Sequence, residues 1–447
     1  MTEGPRPWQV LACVATAQLM VAVDATILAL ALPSAIPDLE LSSAGATWVM
    51  AGYVLTAGSL MITGGRIAQA LGYTRMMTCG LVIFAVASAV GGSADNAGVL
   101  IAARVVQGVG AAVLTPAAMA RLSAAFPGAD RHRAYGIFGM IMGSGTAVGV
   151  LLGGILTESA GWRWCMYVNV LFVVVALIFS VYARDSPERS PGHLRGAWRG
   201  LILAAGAGAL LQALTVTDNP TEALVFALAG LIVIVVFSVL DRASSTPLIP
   251  VVLFTDSARA SAYLALFLWG VATITTFVWV SGTLQRDLGF SPLAAGAFFL
   301  VYPATIQIGL FVGRRGLLGS SANAISIGLS LIGFGQAVLA LVPMSLFSML
   351  LALGVMGFGT SRVMPTANSS MNQNAGLHAG VAGAIGSTLQ QLGASVGLAI
   401  PVALVPVTDH AASVAAGVAA ISLTLGAIYV SVTQKAAESK ATIGPRP

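Results

Sequence analysis

Charged residues are scarce in this sequence. Only 8% of its 447 residues are Asp, Glu, Lys or Arg, against roughly 25% in a typical soluble domain, while 57% are hydrophobic and the mean hydropathy is +0.90. Lysine is almost absent, since Lys435 and Lys440 in the C-terminal tail are the only two. The shortage of charge excludes a soluble domain and predicts a membrane protein. Without another lysine the chain has no Walker A motif, and therefore no P-loop with which to use ATP.

Cysteine and histidine are scarce as well. Cys13, Cys79 and Cys165 lie in apolar stretches without paired spacing, so neither a disulfide nor a metal site is predicted. The histidines fall between the apolar stretches, which disfavours a histidine relay across a membrane, and HExxH is absent. They are His132, His193, His378 and His410. Because no nucleophile and base lie together in an apolar stretch, we predict that the chain is not an enzyme and needs no cofactor.

Long apolar stretches fill most of the chain. A helix needs about 20 apolar residues to cross a hydrocarbon core of about 30 Å. Fourteen stretches of that kind are present, at residues 8–31, 45–65, 76–93, 98–121, 135–157, 164–183, 198–217, 222–240, 260–282, 293–313, 322–342, 345–365, 379–405 and 411–433. The sequence therefore predicts an all-α integral membrane protein with 14 transmembrane helices.

The arginines predict the orientation of these spans, because cytoplasmic loops collect Lys and Arg. If the N-terminus lies in the cytoplasm, only Arg163 and Arg286 fall in external loops, and Arg104 lies within a span. The pI near 9.4 thus reflects topology and not binding to nucleic acid. We predict a multi-pass protein of the cell membrane with both termini in the cytoplasm. On the cytoplasmic side lie Arg6, Arg66, Arg75, Arg121, Arg131, Arg133, Arg184, Arg189, Arg195, Arg199, Arg242, Arg259, Arg314, Arg315, Arg362, Lys435, Lys440 and Arg446.

Two longer polar stretches, residues 184–200 and 241–259, divide the spans into groups of six, two and six. Proteins built from repeated halves show this kind of internal symmetry. We predict an N-terminal six-helix bundle at 1–184, linkers with two extra helices at 185–259, a C-terminal six-helix bundle at 260–434 and a cytoplasmic tail at 435–447.

A single carboxylate, Asp24, interrupts the apolar run VAVDATILALALP at 21–33. At 1.5 Å per residue it lies about 24 Å from the cytoplasmic start of its span, and Arg104 lies at a similar depth, about 9 Å from the outer end of its own span. A lone charge at the bilayer centre costs about 2.5 to 3.5 kcal/mol, so the two are predicted to pair. Two interpretations stay open: a static ion pair that braces two helices, or a proton site whose affinity changes as the pair breaks and re-forms.

Four polar or aromatic residues in the spans are candidates for a substrate cavity. Gln107 lies three residues after Arg104 and so faces the same side of its helix. Trp48 and Tyr53 open the second span, where an aromatic belt is the alternative interpretation. Gln391 lies near the middle of the thirteenth span, where a hydrogen bond to a neighbouring helix is the alternative.

The fifth span carries glycines on one helix face, Gly145, Gly149 and Gly153. Small residues at that spacing allow helices to approach closely. The face fits plain packing, a helix that slides against its neighbour, or both.

Several stretches together resemble one family, the fourteen-span drug:proton antiporters of the major facilitator superfamily. They are DATILALALP at 24–33, WVMAGYVLT at 48–56, RVVQGVGAA at 104–112, GWRWCMYVNV at 161–170, LQRDLGFSPLAAG at 284–296 and LQQLGASVGLAI at 389–400. The resemblance implies two six-helix bundles with two inserted helices, and alternating access in which a proton enters as a hydrophobic compound leaves. It implies that Asp24 is the membrane acid and Arg104 its partner. It also makes Gly145, Gly149, Gly153 and Gly154 an antiporter motif and GGRIAQALGYTR at 64–75 a cytoplasmic conformational motif.

The chain departs from the family pattern at several positions. Gln69 stands where an acid is usual, and Tyr73 and Thr74 stand where basic residues are usual, which predicts a weaker charge latch. Val150 replaces a proline, so the fifth span keeps its glycine face without the kink, and Ala29 replaces an asparagine. The residues of the cytoplasmic motif that remain are Gly65, Arg66, Gly72 and Arg75.

The sequence as a whole predicts proton-coupled efflux of a small hydrophobic compound such as a drug, an antibiotic or a secondary metabolite. The expected partners are that substrate, protons and the lipid bilayer, and the chain is expected to act as a monomer. A proton-coupled importer or facilitator of the same fold, and a membrane scaffold without transport, are the alternatives.

Overall fold

The computed structural model of the chain describes residues 7–126, 130–182, 196–216, 219–314, 323–372, 379–404, 416–417 and 419–430. Within these ranges the chain is helical and has no β-strand. The first eight helices are α1 (Pro7–Asp38), α2 (Ser43–Leu71), α3 (Tyr73–Gly92), α4 (Ala97–Ala125), α5 (Asp130–Ser159), α6 (Arg163–Tyr182), α7 (Arg199–Thr215) and α8 (Pro220–Arg242). A 3-10 helix at Val251–Phe254 precedes α9 (Ser257–Gly282), α10 (Pro292–Phe299), α11 (Val301–Arg314), α12 (Ala324–Leu341), α13 (Leu346–Asn372), α14 (Ala379–Leu404) and α15 (Ala419–Val430).

The prediction of an all-α membrane protein is confirmed. In the described ranges, 10 helical segments are long and apolar enough to cross a membrane, and shorter apolar helices lie at Gly145–Ser159, Arg199–Thr215 and Ala419–Val430. The helices differ greatly in burial. In the most apolar stretch of α2, 83% of the residues are buried, while in that of α8 only 11% are buried. The helix α2 therefore lies inside a bundle, and α8 turns most of its apolar surface outward.

The ends of the helices follow local sequence signals. Asn96 caps α4, because its Oδ1 accepts a hydrogen bond from the backbone N–H of Val99 at 3.0 Å. Gly72 separates α2 from α3 with φ at +101°, a conformation that glycine adopts without steric cost. Part of the predicted cytoplasmic motif is thus a sharp turn between two helices.

The tenth predicted span, 293–313, consists of two helices, α10 and α11, which meet at Leu300. The interruption has a reason in the sequence. Pro303 has no N–H to donate to the carbonyl of Phe299, and its ring clashes with that carbonyl. The backbone bonds resume at once, with Ala304 donating to Leu300 at 3.1 Å.

The chain divides into two compact units. Unit 1 contains the described residues of 1–213, 224–248 and 281–297, and unit 2 contains those of 214–223, 249–280 and 298–447. In unit 1, α4 packs against α2 and α3, and α1 packs against α5 and α6. In unit 2, α13 packs against α11 and α12. The helices α7 and α8, which were predicted to be inserted between the two bundles, lie almost entirely within unit 1.

Candidate functional site

A buried ion pair joins α1 to α4 in unit 1. Nη1 of Arg104 donates to Oδ2 of Asp24 at 2.6 Å, and the exposed fractions of the two side chains are only 1% and 0%. The pairing predicted from equal depth in the membrane is therefore present. Two charges lose their hydration when they are buried, and this loss offsets much of the Coulomb attraction between them. The presence of the pair is therefore weak support for a stabilising role.

The second carboxylate oxygen of Asp24 is held by neutral amides. Nδ2 of Asn169, on α6, donates to Oδ1 at 2.7 Å, and Nε2 of Gln107 lies 3.5 Å from the same oxygen. The same Gln107 nitrogen donates to Oγ of Ser88, on α3, at 2.7 Å. The carboxylate is thus enclosed by hydrogen-bond donors from α4 and α6.

The guanidinium of Arg104 also has partners besides Asp24. Its Nε donates to the carbonyl of Val49, on α2, at 3.1 Å, and its Nη1 donates to Oε1 of Gln107 at 2.8 Å. Its central carbon lies 4.4 Å from the centroid of the Tyr53 ring, a distance at which the ring face attracts a cation. Five helices, α1, α2, α3, α4 and α6, therefore meet at this charged network.

Sequence reasoning did not assign a role to Asn169, although it lies in GWRWCMYVNV, one of the stretches that resemble the family. Its side chain is fully buried. An amide in the apolar interior of α6 was the available signal, because a buried polar group needs a partner. The partner itself depends on how α6 is rotated against α1, which the sequence does not state.

The four predicted cavity residues lie in different surroundings. Gln107 and Tyr53 are buried in the network around the ion pair. Trp48 is half-buried, and its indole N–H donates to Oε1 of Gln212, on α7, at 2.9 Å. Gln391 is half-buried on α14 of unit 2. A substrate-binding role for these residues stays a prediction.

The glycine face of α5 packs directly on the turn of α1 that carries Asp24. A Cβ atom on Gly149 would collide with the hydroxyl of Thr26 and lie tightly against the carbonyl of Val23. The close approach predicted for this face is present within unit 1. The glycines and the nearest α1 residues are Gly145 with Ala22, Gly149 with Thr26 and Gly153 with Ile27, while Gly154 faces Pro292 and Leu293.

Arg66, in the predicted cytoplasmic motif, makes a polar contact that the sequence did not predict. The guanidinium of Arg66 donates to the backbone carbonyls of Thr246 and Pro247, in the loop after α8. Gln69 and Arg75 are exposed. In unit 1, the motif is therefore attached to the inserted pair of helices through Arg66.

A bundle of long apolar helices around a dehydrated Asp–Arg pair is a multi-span membrane protein of the transporter class. The sequence profile described as Major Facilitator Superfamily matches residues 14–398. The chain belongs to the major facilitator superfamily.

Relatives within this superfamily are named for resistance to antibiotics or for their export. The puromycin resistance protein of Streptomyces alboniger is 33% identical over 89% of this chain and 81% of its own length. The lincomycin resistance protein of Streptomyces lincolnensis is 30% identical over 89% and 84%. The cephamycin export protein of Amycolatopsis lactamdurans is 32% identical over 88% and 83%.

Solved structures share the fold at much lower identity. The POT family transporter PepTSo superposes with a TM-score of 0.72 at 15% identity, over 97% of this chain and 99% of that one. An auto-inhibited POT family peptide transporter gives a TM-score of 0.65 at 17% identity, over 99% and 97%. These likenesses concern the fold alone.

Proposed function

We propose that this protein exports an antibiotic or a similar small, largely apolar compound, and that protons moving inward drive the export by alternating access. The names of the relatives support the substrate class. The observation that carries the coupling is the ion pair between Asp24 and Arg104, fully buried in a chain with only 8% charged residues. Ionisable groups inside a membrane usually serve a function, because their insertion is costly.

Asp24 is the proposed proton site. Its oxygens accept hydrogen bonds from Arg104 and Asn169. A carboxyl group that binds a proton gains an O–H donor, and this buried donor then needs an acceptor of its own. Oδ1 of Asn169 is buried without a partner among the described residues. If the amide turns, this oxygen can accept the new O–H, which keeps the protonated acid hydrogen-bonded.

Arg104 is the proposed partner that remains charged while Asp24 is neutral. It keeps its contacts with the Val49 carbonyl and with Oε1 of Gln107, and the Tyr53 ring continues to face the cation. These neutral groups reduce the cost of a temporarily unpaired guanidinium. The smooth glycine face of α5 gives α1 a surface on which it can shift while the pair is open.

The energy available is sufficient for useful export. Each elementary charge that crosses the membrane potential contributes about 2.3 kcal/mol per 100 mV, and a tenfold concentration ratio requires about 1.4 kcal/mol. One proton per cycle would therefore support a gradient of roughly fortyfold at 100 mV.

The experiment is compound-triggered proton flux in inverted membrane vesicles, with Asp24→Asn compared with the wild type across a panel of antibiotics. We expect proton release from wild-type vesicles and none from the variant. Asp38→Asn is the matched control, because Asp38 lies on the same helix and its pair with Arg163 is exposed. Unchanged flux in Asp24→Asn would show that the pair is a static brace, and substrate movement in the opposite direction would show an importer.

We further propose that the protein is a monomer of the cell membrane with both termini in the cytoplasm. The distribution of arginine supports this orientation. Reporters that are active on only one side of the membrane, fused after residue 447, test the C-terminus. Activity of the external reporter would contradict the topology.

A further inference from the structure

An open cavity of about 410 Å³ lies where α7 begins and α8 ends, within unit 1. It combines a buried cation, hydroxyl groups and an exposed aromatic ring. The residues that matter here are Trp198, Arg199, Leu240, Ser244, Ser245 and Thr246. The arginine distribution assigns this end of the helices to the cytoplasm.

Arg199 forms hydrogen bonds with several parts of the cavity wall. Its Nη1 pairs with Oδ1 of Asp241 at 2.6 Å, with both side chains at most 5% exposed. Its Nη2 donates to the carbonyl of Thr246 at 3.1 Å, and the N–H of Leu248 donates to Asp241 at 2.7 Å. The loop that carries Ser244 and Ser245 is therefore held in one conformation beside a guanidinium.

Positive charge also lies close to the cavity, outside the residues that line it. Arg66 binds the same loop through the carbonyls of Thr246 and Pro247, and Arg242, two residues before Ser244, is exposed. Asp241 balances the charge of Arg199, so among the described residues of this part of unit 1 the guanidiniums of Arg66 and Arg242 leave a net positive charge. An anion at the hydroxyls would be attracted.

An apolar surface continues from the cavity along α8. Leu240 in the cavity wall is 41% exposed, Val239 beside it is 61% exposed, and only 11% of the apolar stretch of α8 is buried. Trp198 at the rim is 57% exposed, and tryptophan favours the boundary between headgroups and hydrocarbon. A ligand with an anionic polar end and an apolar chain fits the polar cavity and the apolar surface of α8 that continues from it.

We propose that the cavity binds the phosphate headgroup of an anionic phospholipid from the cytoplasmic leaflet, whose acyl chain lies along α8. The phosphate is held by the hydroxyls of Ser244 and Ser245 in the positive field of the arginines. The cytoplasmic leaflet supplies such lipids, and basic segments beside spans attract them. Free phosphate shares the headgroup chemistry, but it would make no use of the apolar surface.

The test is binding of lipid to the full-length protein, purified in detergent and measured by native mass spectrometry. Phosphatidylglycerol and phosphatidylcholine with identical acyl chains are titrated separately, and inorganic phosphate is added in a third series. We expect tighter binding of phosphatidylglycerol and no displacement of it by phosphate at equal concentration. Equal binding of the two lipids would overturn the proposal, and displacement by phosphate would overturn the assignment to a lipid.

A matched pair of variants locates the site. Ser245 is exposed, so Ser245→Asp adds a negative charge at the cavity with little risk to folding, and Ser245→Asn adds the same shape without charge. We expect Ser245→Asp to weaken phosphatidylglycerol binding about fivefold and Ser245→Asn to leave it near the wild-type value. Arg75→Gln removes an exposed charge from another part of the same face. An equal loss with Arg75→Gln would show diffuse attraction and overturn the site. The readout does not involve transport, so it succeeds or fails independently of the proposed export.

Discussion

The two units repeat one packing arrangement and fill it with different chemistry. In unit 1, Gly108 of α4 packs against the backbone of Tyr53 on α2, and in unit 2, Gly357 of α13 packs against the backbone of Tyr302 on α11. The surroundings of the two tyrosine rings differ. Tyr53 faces the guanidinium of Arg104, whereas the hydroxyl of Tyr302 lies 2.8 Å from Oγ1 of Thr360.

The polar groups around Tyr302 in unit 2 form an uncharged network, while the one buried cation of the described part of that unit, Arg259, donates to the carbonyl of Met371. Thr360 accepts a further hydrogen bond from the indole N–H of Trp269 at 3.0 Å. Gln336, on α12, donates to Thr276 at 2.7 Å and to the carbonyl of Ala272 at 3.0 Å. Neutral hydrogen bonds avoid the large hydration cost of buried charges. Around the equivalent tyrosines, unit 1 therefore buries an ion pair, and unit 2 buries neutral hydrogen bonds.

The largest change is expected when the buried ion pair of unit 1 is replaced by neutral side chains. Arg104→Leu and Asp24→Leu each leave one buried charge without its partner, so each should lower the free energy of unfolding by about 3 to 5 kcal/mol. The double variant removes both charges and should recover most of that loss. Denaturant unfolding in detergent measures the double-mutant cycle. Additive losses of stability would show that the two charges are not coupled. Proton flux, which is expected in the wild type, should be absent in all three variants.

The shared packing can be tested separately from the charge. Gly108→Ala and Gly357→Ala each place a methyl group against a tyrosine backbone, so both should destabilise the protein by about 1 to 3 kcal/mol. Gly208→Ala is the matched control, because no atom lies near its added Cβ, and alanine favours the helix by about 1 kcal/mol. A large loss at only one of the two packed glycines would contradict the repeat. Thermal unfolding in the same detergent gives the ranking.

The smallest expected effect distinguishes the two tyrosines. The hydroxyl of Tyr53 is buried without a hydrogen-bond partner among the described residues, so Tyr53→Phe should leave stability unchanged or raise it slightly. Tyr302→Phe removes the contact with Thr360 and should cost about 0.5 to 1.5 kcal/mol. Denaturant midpoints of the two variants measure the difference. Equal costs would show that Tyr53 makes a polar contact comparable to that of Tyr302.

Depth counting predicted the ion pair because charge in a membrane is constrained by cost. Asp24 and Arg104 are the deep charges of the first bundle, so their partnership followed from spacing alone. Asn169 has no comparable constraint, since a neutral amide can bond to many neighbours. Gln107 was predicted to face the same side of its helix as Arg104, and it contacts Arg104; its role in a substrate cavity stays a prediction. Residue type and depth indicate the charged partners, while the neutral ones depend on helix rotation.

The positions of the helices were also largely predictable from the sequence. The apolar stretches located the spans, and Pro303 explains the break at Leu300. The contact of Arg66 with the loop after α8 was not predictable, because its acceptors are backbone carbonyls. Every residue carries such an acceptor, and only the folded chain shows which one an arginine reaches.

The unequal burial of α2 and α8 has an evolutionary consequence. A residue of α2 fits neighbours on several sides, so most changes in its volume are penalised. A residue of α8 leaves most of its surface without protein neighbours, and in a bilayer that surface would face fluid acyl chains, where Leu, Ile, Val and Phe are nearly interchangeable. Among descendants of this gene, α8 should therefore accumulate substitutions fastest and preserve only its hydropathy, while α2 should preserve the shape of its side chains.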